Sequence, residues 1–207
     1  TGLIAKWVFS GNAADSSGNG YNGTVNNAVL ATDRCGNVNS SYYFDGIGTG
    51  QYISVANTPA LNLNNTDFTI SAWIKSDIAL ANGVILSKRN GPSLNNGYIY
   101  FIDGTTQKLG FAIAGGGPSS KNVRSAAVID SISWKHVLAS YSNSTDSMKI
   151  YINGALDTVV GSVPSPTSTS SPFRIGNDSY GQAYEFKGKI DDIRIFNRVL
   201  TFCDVDS

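Results

Sequence analysis

Two oxygen-rich stretches at opposite ends of the chain have the residue types and spacing for cation chemistry. Near the N-terminus, Asp15-Ser16-Ser17-Gly18-Asn19-Gly20-Tyr21-Asn22-Gly23-Thr24 sets a carboxylate and two side-chain amides among glycines in one short loop. Near the C-terminus, Ile190-Asp191-Asp192-Ile193-Arg194-Ile195-Phe196 opens a strand pattern with a doublet of acids. Ca2+ takes about six to eight oxygen ligands from carboxylates, amides, backbone carbonyls and water, and glycines let a loop turn its carbonyls inward. Asp15, Asn19 and Asn22 are therefore candidate ligands, and pairing of the first and last strands would bring the acid doublet to them. The alternative for the loop is an Asx turn in which Asp15 accepts hydrogen bonds from backbone N–H groups. Period two sets Asp191 on the side of Ile193 and Ile195, and Asp192 on the side of Arg194 and Phe196, so the two acids are expected to face apart. An acid on an apolar face has to be paired, metal-bound or at the rim. For Asp192 the neighbour Arg194 is a ready partner.

Catalytic chemistry finds little support. Most glycosidases need two carboxylates flanking the scissile bond, yet Glu185 is the only Glu in the chain and the acid doublet is read as facing apart. Serine catalysis would need the single His136 as base, and no nucleophile-elbow motif is present. One His and two widely separated Cys do not make a zinc site, and EF-hand spacing is absent. His136 reads as an ordinary strand residue with a satisfied ring, and the chain as a non-enzyme. Sugar binding asks for aromatic faces and planar hydrogen-bonding groups. The candidates for it are Arg89, Asn95 and Asn96 in the segment Lys88 to Gly97, Tyr98 and Tyr100 on the strand that follows, and Arg124, Asn177 and Tyr180. Trp73, Asn122 and Tyr184 belong to the same pool, while Trp7, Trp73 and Trp134 read rather as core or sheet-face packing.

The elements that must position these groups are strands. Strand patterns bounded by turn residues recur from Leu3–Phe9 to Ile190–Phe196, with no sustained helical period. In Phe68 to Lys75, Phe68, Ile70, Ala72 and Ile74 share a core face and Thr69, Ser71, Trp73 and Lys75 the other. Lys149-Ile150-Tyr151-Ile152 runs into Asn153-Gly154, which predicts a tight hairpin turn. At 207 residues, with 41% hydrophobic and 14% charged residues, the chain is long enough for one all-β domain. Lys plus Arg and Asp plus Glu number 15 each, so no net field favours nucleic acid or an anionic membrane. No run of about 18 apolar residues predicts a membrane span, and Thr1 to Lys6 does not read as a signal peptide. Cys35 and Cys203 suffice for one disulfide, or are two buried thiols; a polar, Asn-rich composition favours the disulfide and an oxidising compartment.

The ordered succession Phe44-Asp45-Gly46, Tyr52 to Val55, Phe68 to Lys75, Trp134-Lys135-His136-Val137, Ile150 to Gly154, Arg174-Ile175-Gly176 and Ile190 to Leu200 resembles the laminin-G-like or concanavalin A-like jelly-roll domains. The resemblance spans nearly the whole chain. It implies an all-β sandwich of two antiparallel sheets, frequently with a structural Ca2+, used as a module of larger secreted or surface proteins. Through the family's Asp-x-Ser-Gly-Asn loop it points to Asp15, Asn19 and groups near Asn22 and Thr24 as ligands, and it favours Asp191 as the second carboxylate. The expected function is glycan or polysaccharide binding by a Ca2+-stabilised, non-catalytic module at the cell surface or outside the cell. A protein-interaction, adhesion or spacer module joined to other domains is the second reading, and an unusual carbohydrate-active enzyme the third. Family members share the fold across these activities, so the fold does not select among them.

Overall fold

The computed structural model describes residues 2–77, 82–91, 95–115, 120–181, 184–201 and 204. Within them lie the strands β1 (Leu3–Trp7), β2 (Gly23–Asn26), β3 (Val29–Ala31), β4 (Ser41–Asp45), β5 (Tyr52–Val55), β6 (Phe68–Ser76), β7 (Gly83–Asn90) and β8 (Asn96–Ile102). They continue as β9 (Lys108–Gly115), β10 (Ser120–Val128), β11 (Lys135–Ser142), β12 (Ser147–Ile152), β13 (Ala155–Val160), β14 (Phe173–Ile175) and β15 (Lys187–Phe196). The pairings form two antiparallel sheets. One has eight strands in the order β13-β12-β11-β6-β15-β4-β3, with β1 also on β15; the other has seven in the order β10-β9-β8-β7-β14-β5-β2. First and last strands do pair, Trp7 opposite Ile193 and Lys6 opposite Arg194. The hairpin between β12 and β13 turns at Asn153 and Gly154, both with positive φ, 51° and 79°.

The facing sides of the two sheets make the core. Phe68, Ile70, Ala72 and Ile74 of β6 are fully buried there, as the alternation predicted. Trp7 of the eight-stranded sheet stacks on Phe173 of the other, ring centroids 5.4 Å apart, and Phe68 meets Tyr98, Phe111 and Tyr141 within 6.4 Å. Such aromatic clusters bury much apolar area per residue and prefer these offset or tilted arrangements.

Several sequence expectations are corrected by the position of the chain. Tyr98 and Tyr100 do share a face of β8, but it is the core face: both are fully buried, and the Tyr98 hydroxyl donates to the Leu61 carbonyl at 2.7 Å. The segment Lys88 to Gly97 is not one loop, because β7 runs on to Asn90 and β8 begins at Asn96. Arg89 on β7 is buried, its Nε 2.9 Å from Asp178 Oδ1 and a second nitrogen on Asp178 Oδ2. Asn177 is fully buried beside that pair. None of these four side chains is open to a ligand. Cys203 lies outside the described residues, and Cys35 is exposed in the turn between β3 and β4.

Candidate ligand-binding groove

The site begins with an irregularity in β15. Asp191 pairs with Trp73 and Arg194 with Ser71, so two residues of β15 stand opposite the single Ala72 of β6, and Asp192 takes a left-handed backbone with φ 42°. This is a β-bulge, which re-aims side chains at the cost of one ladder position. Ile190, Ile193 and Ile195 keep to the core. Asp191, directly opposite Trp73, shares its outward face. The expected separation of the two acids is thereby overturned, because strict period two does not survive an inserted residue. Both carboxylates engage one guanidinium: Arg34 bonds Asp191 and, at 3.3 Å, Asp192. Arg194 closes the cluster with Nε and Nη2 on Asp192 at 2.9 and 2.8 Å.

Arg34 is delivered by the turn between β3 and β4. Asp33 shapes that turn by accepting the amides of Cys35 and Asn37, each at 2.8 Å. The guanidinium then lies 4.8 Å from the centroid of the Trp73 ring, a cation–π distance. His136, opposite Trp73 on β11, stacks on the same ring at 5.2 Å. Around these residues opens a groove of about 490 Å3 on the outer face of the eight-stranded sheet. Trp134, Leu138, Asn153, Phe196, Leu200 and Asp204 complete its walls.

The electrostatics follow from burial. Asp191 is 2% exposed, and desolvation pushes its carboxyl up to about 6 against the opposing pull of Arg34. Burial, then Arg194 and Arg34, holds His136 below its usual range, with Asp192 opposing. His136 is thus a neutral imidazole at pH 7, and its ring has no hydrogen-bond partner among the described residues, contrary to the expectation of a satisfied ring.

The remaining candidates are dispersed. Asn95 and Asn96 stand at the start of β8, Asn96 accepting from Thr167 Oγ1 at 3.0 Å. Arg124 on β10 pairs with Asp103 at 2.7 Å and lies over the Phe101 ring. Tyr180 is 51% exposed beside Arg89. The groove residues Arg34, Trp134, Asp192, Arg194 and Asn153 were not among the ligand candidates. The outward Trp73 on β6 and the alternating Trp134-x-His136 were their only signal in the chain.

The Asp15 loop does not fit a Ca2+ shared with Asp191. Asp15 Oδ1 accepts the Lys6 and Ser17 amides at 3.0 and 2.9 Å, and Oδ2 the Ser17 hydroxyl and Tyr21 amide at 2.8 and 3.0 Å. Burial pushes this carboxyl up, but those amides bring it below its ordinary range overall. Asn22 Oδ1 accepts the Asp15 amide at 2.9 Å, and Asn19 turns its NH2 to the Ile4 carbonyl at 2.8 Å. Thr24 is exposed on β2. A cation needs lone pairs converging on one point, whereas the Asp15 and Asn22 oxygens already receive protons, Asn19 directs its NH2 to the Ile4 carbonyl and Asp191 faces a guanidinium. Among the described residues, no three His, Cys, Asp or Glu side chains gather to hold a metal. The Asx-turn reading accounts for the loop.

Comparisons with known proteins agree with this architecture. The chain superposes over 99% of its length on domain 4 of AbnA, a GH43 extracellular arabinanase from Geobacillus stearothermophilus solved with arabinotriose, at TM-score 0.75 and 21% identity, covering 96% of that chain. It superposes likewise on the binding domain of Paraclostridial mosquitocidal protein 1 (TM-score 0.79, 17% identity) and on that of botulinum neurotoxin DC in complex with SialylT (0.72, 20%). It spans 51% and 50% of those two toxin chains. At such identities the likeness is one of fold. No curated protein sequence matches the chain. The laminin G family model described as the concanavalin A-like lectin/glucanases superfamily matches residues 47–206. That match covers most of the chain and takes in both sheets, so the chain belongs to the concanavalin A-like lectin/glucanases superfamily.

Proposed function

We propose that the chain is a non-catalytic glycan-binding module and that its ligand site is the groove on the outer face of the eight-stranded sheet. The observation that carries this reading is Trp134. Its half-buried indole lines the groove with no ring partner among the described residues, beside the planar groups of His136, Asn153 and Arg194. An aromatic plane flanked by fixed polar groups is the arrangement of small-molecule sites generally. Oligosaccharide binding by a neighbour of the same fold, the arabinanase domain solved with arabinotriose, supports the reading.

Absence of catalysis is supported by the use to which the acids are put. The sole Glu185 is buried, accepting the Gly48 and Gly50 amides at 2.8 and 2.7 Å. Asp191 and Asp192 are committed to Arg34 and Arg194. Work outside the cell, as one domain attached to others, is supported by the extracellular arabinanase and the toxin binding domains among its neighbours. A second reading, a protein-interaction module, is favoured by Val128, Leu156 and Val159, exposed where β10 meets β13.

Affinity electrophoresis through gels containing arabinan, galactan, xylan, glucan or mannan tests the proposal. Retarded migration in at least one gel, lost in Trp134→Ala, is expected, with no release of reducing sugar from any polymer. Uniform migration in all of them would count against glycan binding, and product release against the non-catalytic reading.

A further inference from the structure

The charges of the groove define what class of sugar it takes; this step rests on the glycan-binding reading above. Two guanidinium groups, Arg34 and Arg194, and two carboxylates, Asp192 and Asp204, line the groove. None of the four is an isolated charge. Arg194 is bidentate on Asp192, Arg34 bridges Asp191 and Asp192, and Asp204 pairs with Arg198 at 2.8 Å. His136 adds no charge at neutral pH. A sialic acid or uronate entering this groove would meet no uncompensated cation, would come close to Asp192 and Asp204, and would have to shed its hydration without a matching ion pair.

A neutral sugar ring needs something else: an apolar plane and partners for its hydroxyls. The Trp73 ring is already engaged by Arg34 and His136, which leaves Trp134 as the free plane. Hydroxyl partners remain beyond the ion pairs. Arg194 keeps Nη1 and Arg34 keeps Nε, while Asn153, whose Oδ1 takes the His136 amide at 2.9 Å, keeps its NH2. Fixed donors whose charge is balanced behind them bind hydroxyls without attracting anions.

We propose that the groove selects uncharged oligosaccharides, with Trp134 as the stacking platform, and discriminates against uronic-acid and sialylated glycans. Isothermal titration calorimetry of the purified chain with arabinotriose, galactotriose and trigalacturonate, and with lactose against 3′-sialyllactose, tests it. At least one neutral sugar should bind about tenfold or more tighter than its anionic counterpart. Trp134→Ala should lose that binding while still unfolding in one cooperative transition. Asp192→Asn, which Asn accommodates at a left-handed backbone position, should raise affinity for trigalacturonate relative to galactotriose several-fold. Equal or tighter binding of the anionic sugars, lost in Trp134→Ala, overturns the selectivity and leaves glycan binding standing. Neutral binding that survives Trp134→Ala overturns the proposed platform. Should Trp134→Ala fail to fold, an unchanged preference in Asp192→Asn overturns the proposal. Heat from none of the sugars overturns both the selectivity and the function it rests on.

Discussion

Asp191, buried behind the groove on Arg34, shows how a single carboxylate ties charge to stability. Its pKa, pushed up to about 6 by burial, lies above the 3.8 of an ordinary Asp, so the folded protein binds more protons than the unfolded chain between these values. Any stability this group contributes is therefore present at low pH and lost as pH rises through about 6. Replacing Asp191 with Asn removes the titration. Chemical unfolding at pH 4 and pH 7 should show the wild type losing about 2 kcal/mol relative to Asp191→Asn on going to the higher pH. A gap that does not change with pH would mean that the Arg34 pair fully offsets the desolvation. The acid doublet was visible in the chain, and so was its need for a partner. Arg34 was not, because 157 positions separate it from Asp191 and only the turn built on Asp33 brings it there.

At the scale of elements, the Asp15 loop is a clasp of hydrogen bonds onto β1. Asp15 takes the Lys6 amide, the Ser16 amide bonds the Lys6 carbonyl at 2.8 Å, and Asn19 reaches the Ile4 carbonyl. Removing the carboxylate orphans several N–H groups at once, each costing about 1 kcal/mol or less where water replaces it. Asp15→Ala should lower stability by about 1–3 kcal/mol, and by the same amount with added Ca2+ or with chelator. A melting temperature of the wild type that falls on chelation would restore a metal to this loop. The strand patterns of β6, β11, β12 and β15 and the Asn153-Gly154 turn were legible because alternation and turn chemistry are local. The bulge in β15 was not, since nothing in Asp191-Asp192-Ile193 alone marks where a neighbouring strand will force an extra residue.

Across the whole molecule, Lys88 ties distant segments to the middle of β7. Its ammonium is buried and donates to Asn57 Oδ1 and the Ser171 carbonyl, each at 2.7 Å, and to the Thr169 carbonyl at 3.2 Å. Burial lowers its pKa to about 8 from 10.5. The unfolded chain thus holds this proton longer as pH rises, and stability should increase between about pH 8 and 10.5. Urea unfolding should show the wild type gaining on Lys88→Met as pH is raised from 8 to 10. A constant gap would place the ammonium in contact with water. By itself the amino-acid sequence determined an all-β sandwich of this superfamily, because alternation, turns and motif order act over short stretches and survive without knowledge of partners. Only the tertiary structure decided which outward faces stay open and which carboxylates find cations. It sent Tyr98 and Tyr100 inward and turned Asp191 out beside Trp73. The physical reason is that burial and ion pairing depend on residues far apart in the chain, and one inserted residue in a strand redirects the side chains beside it.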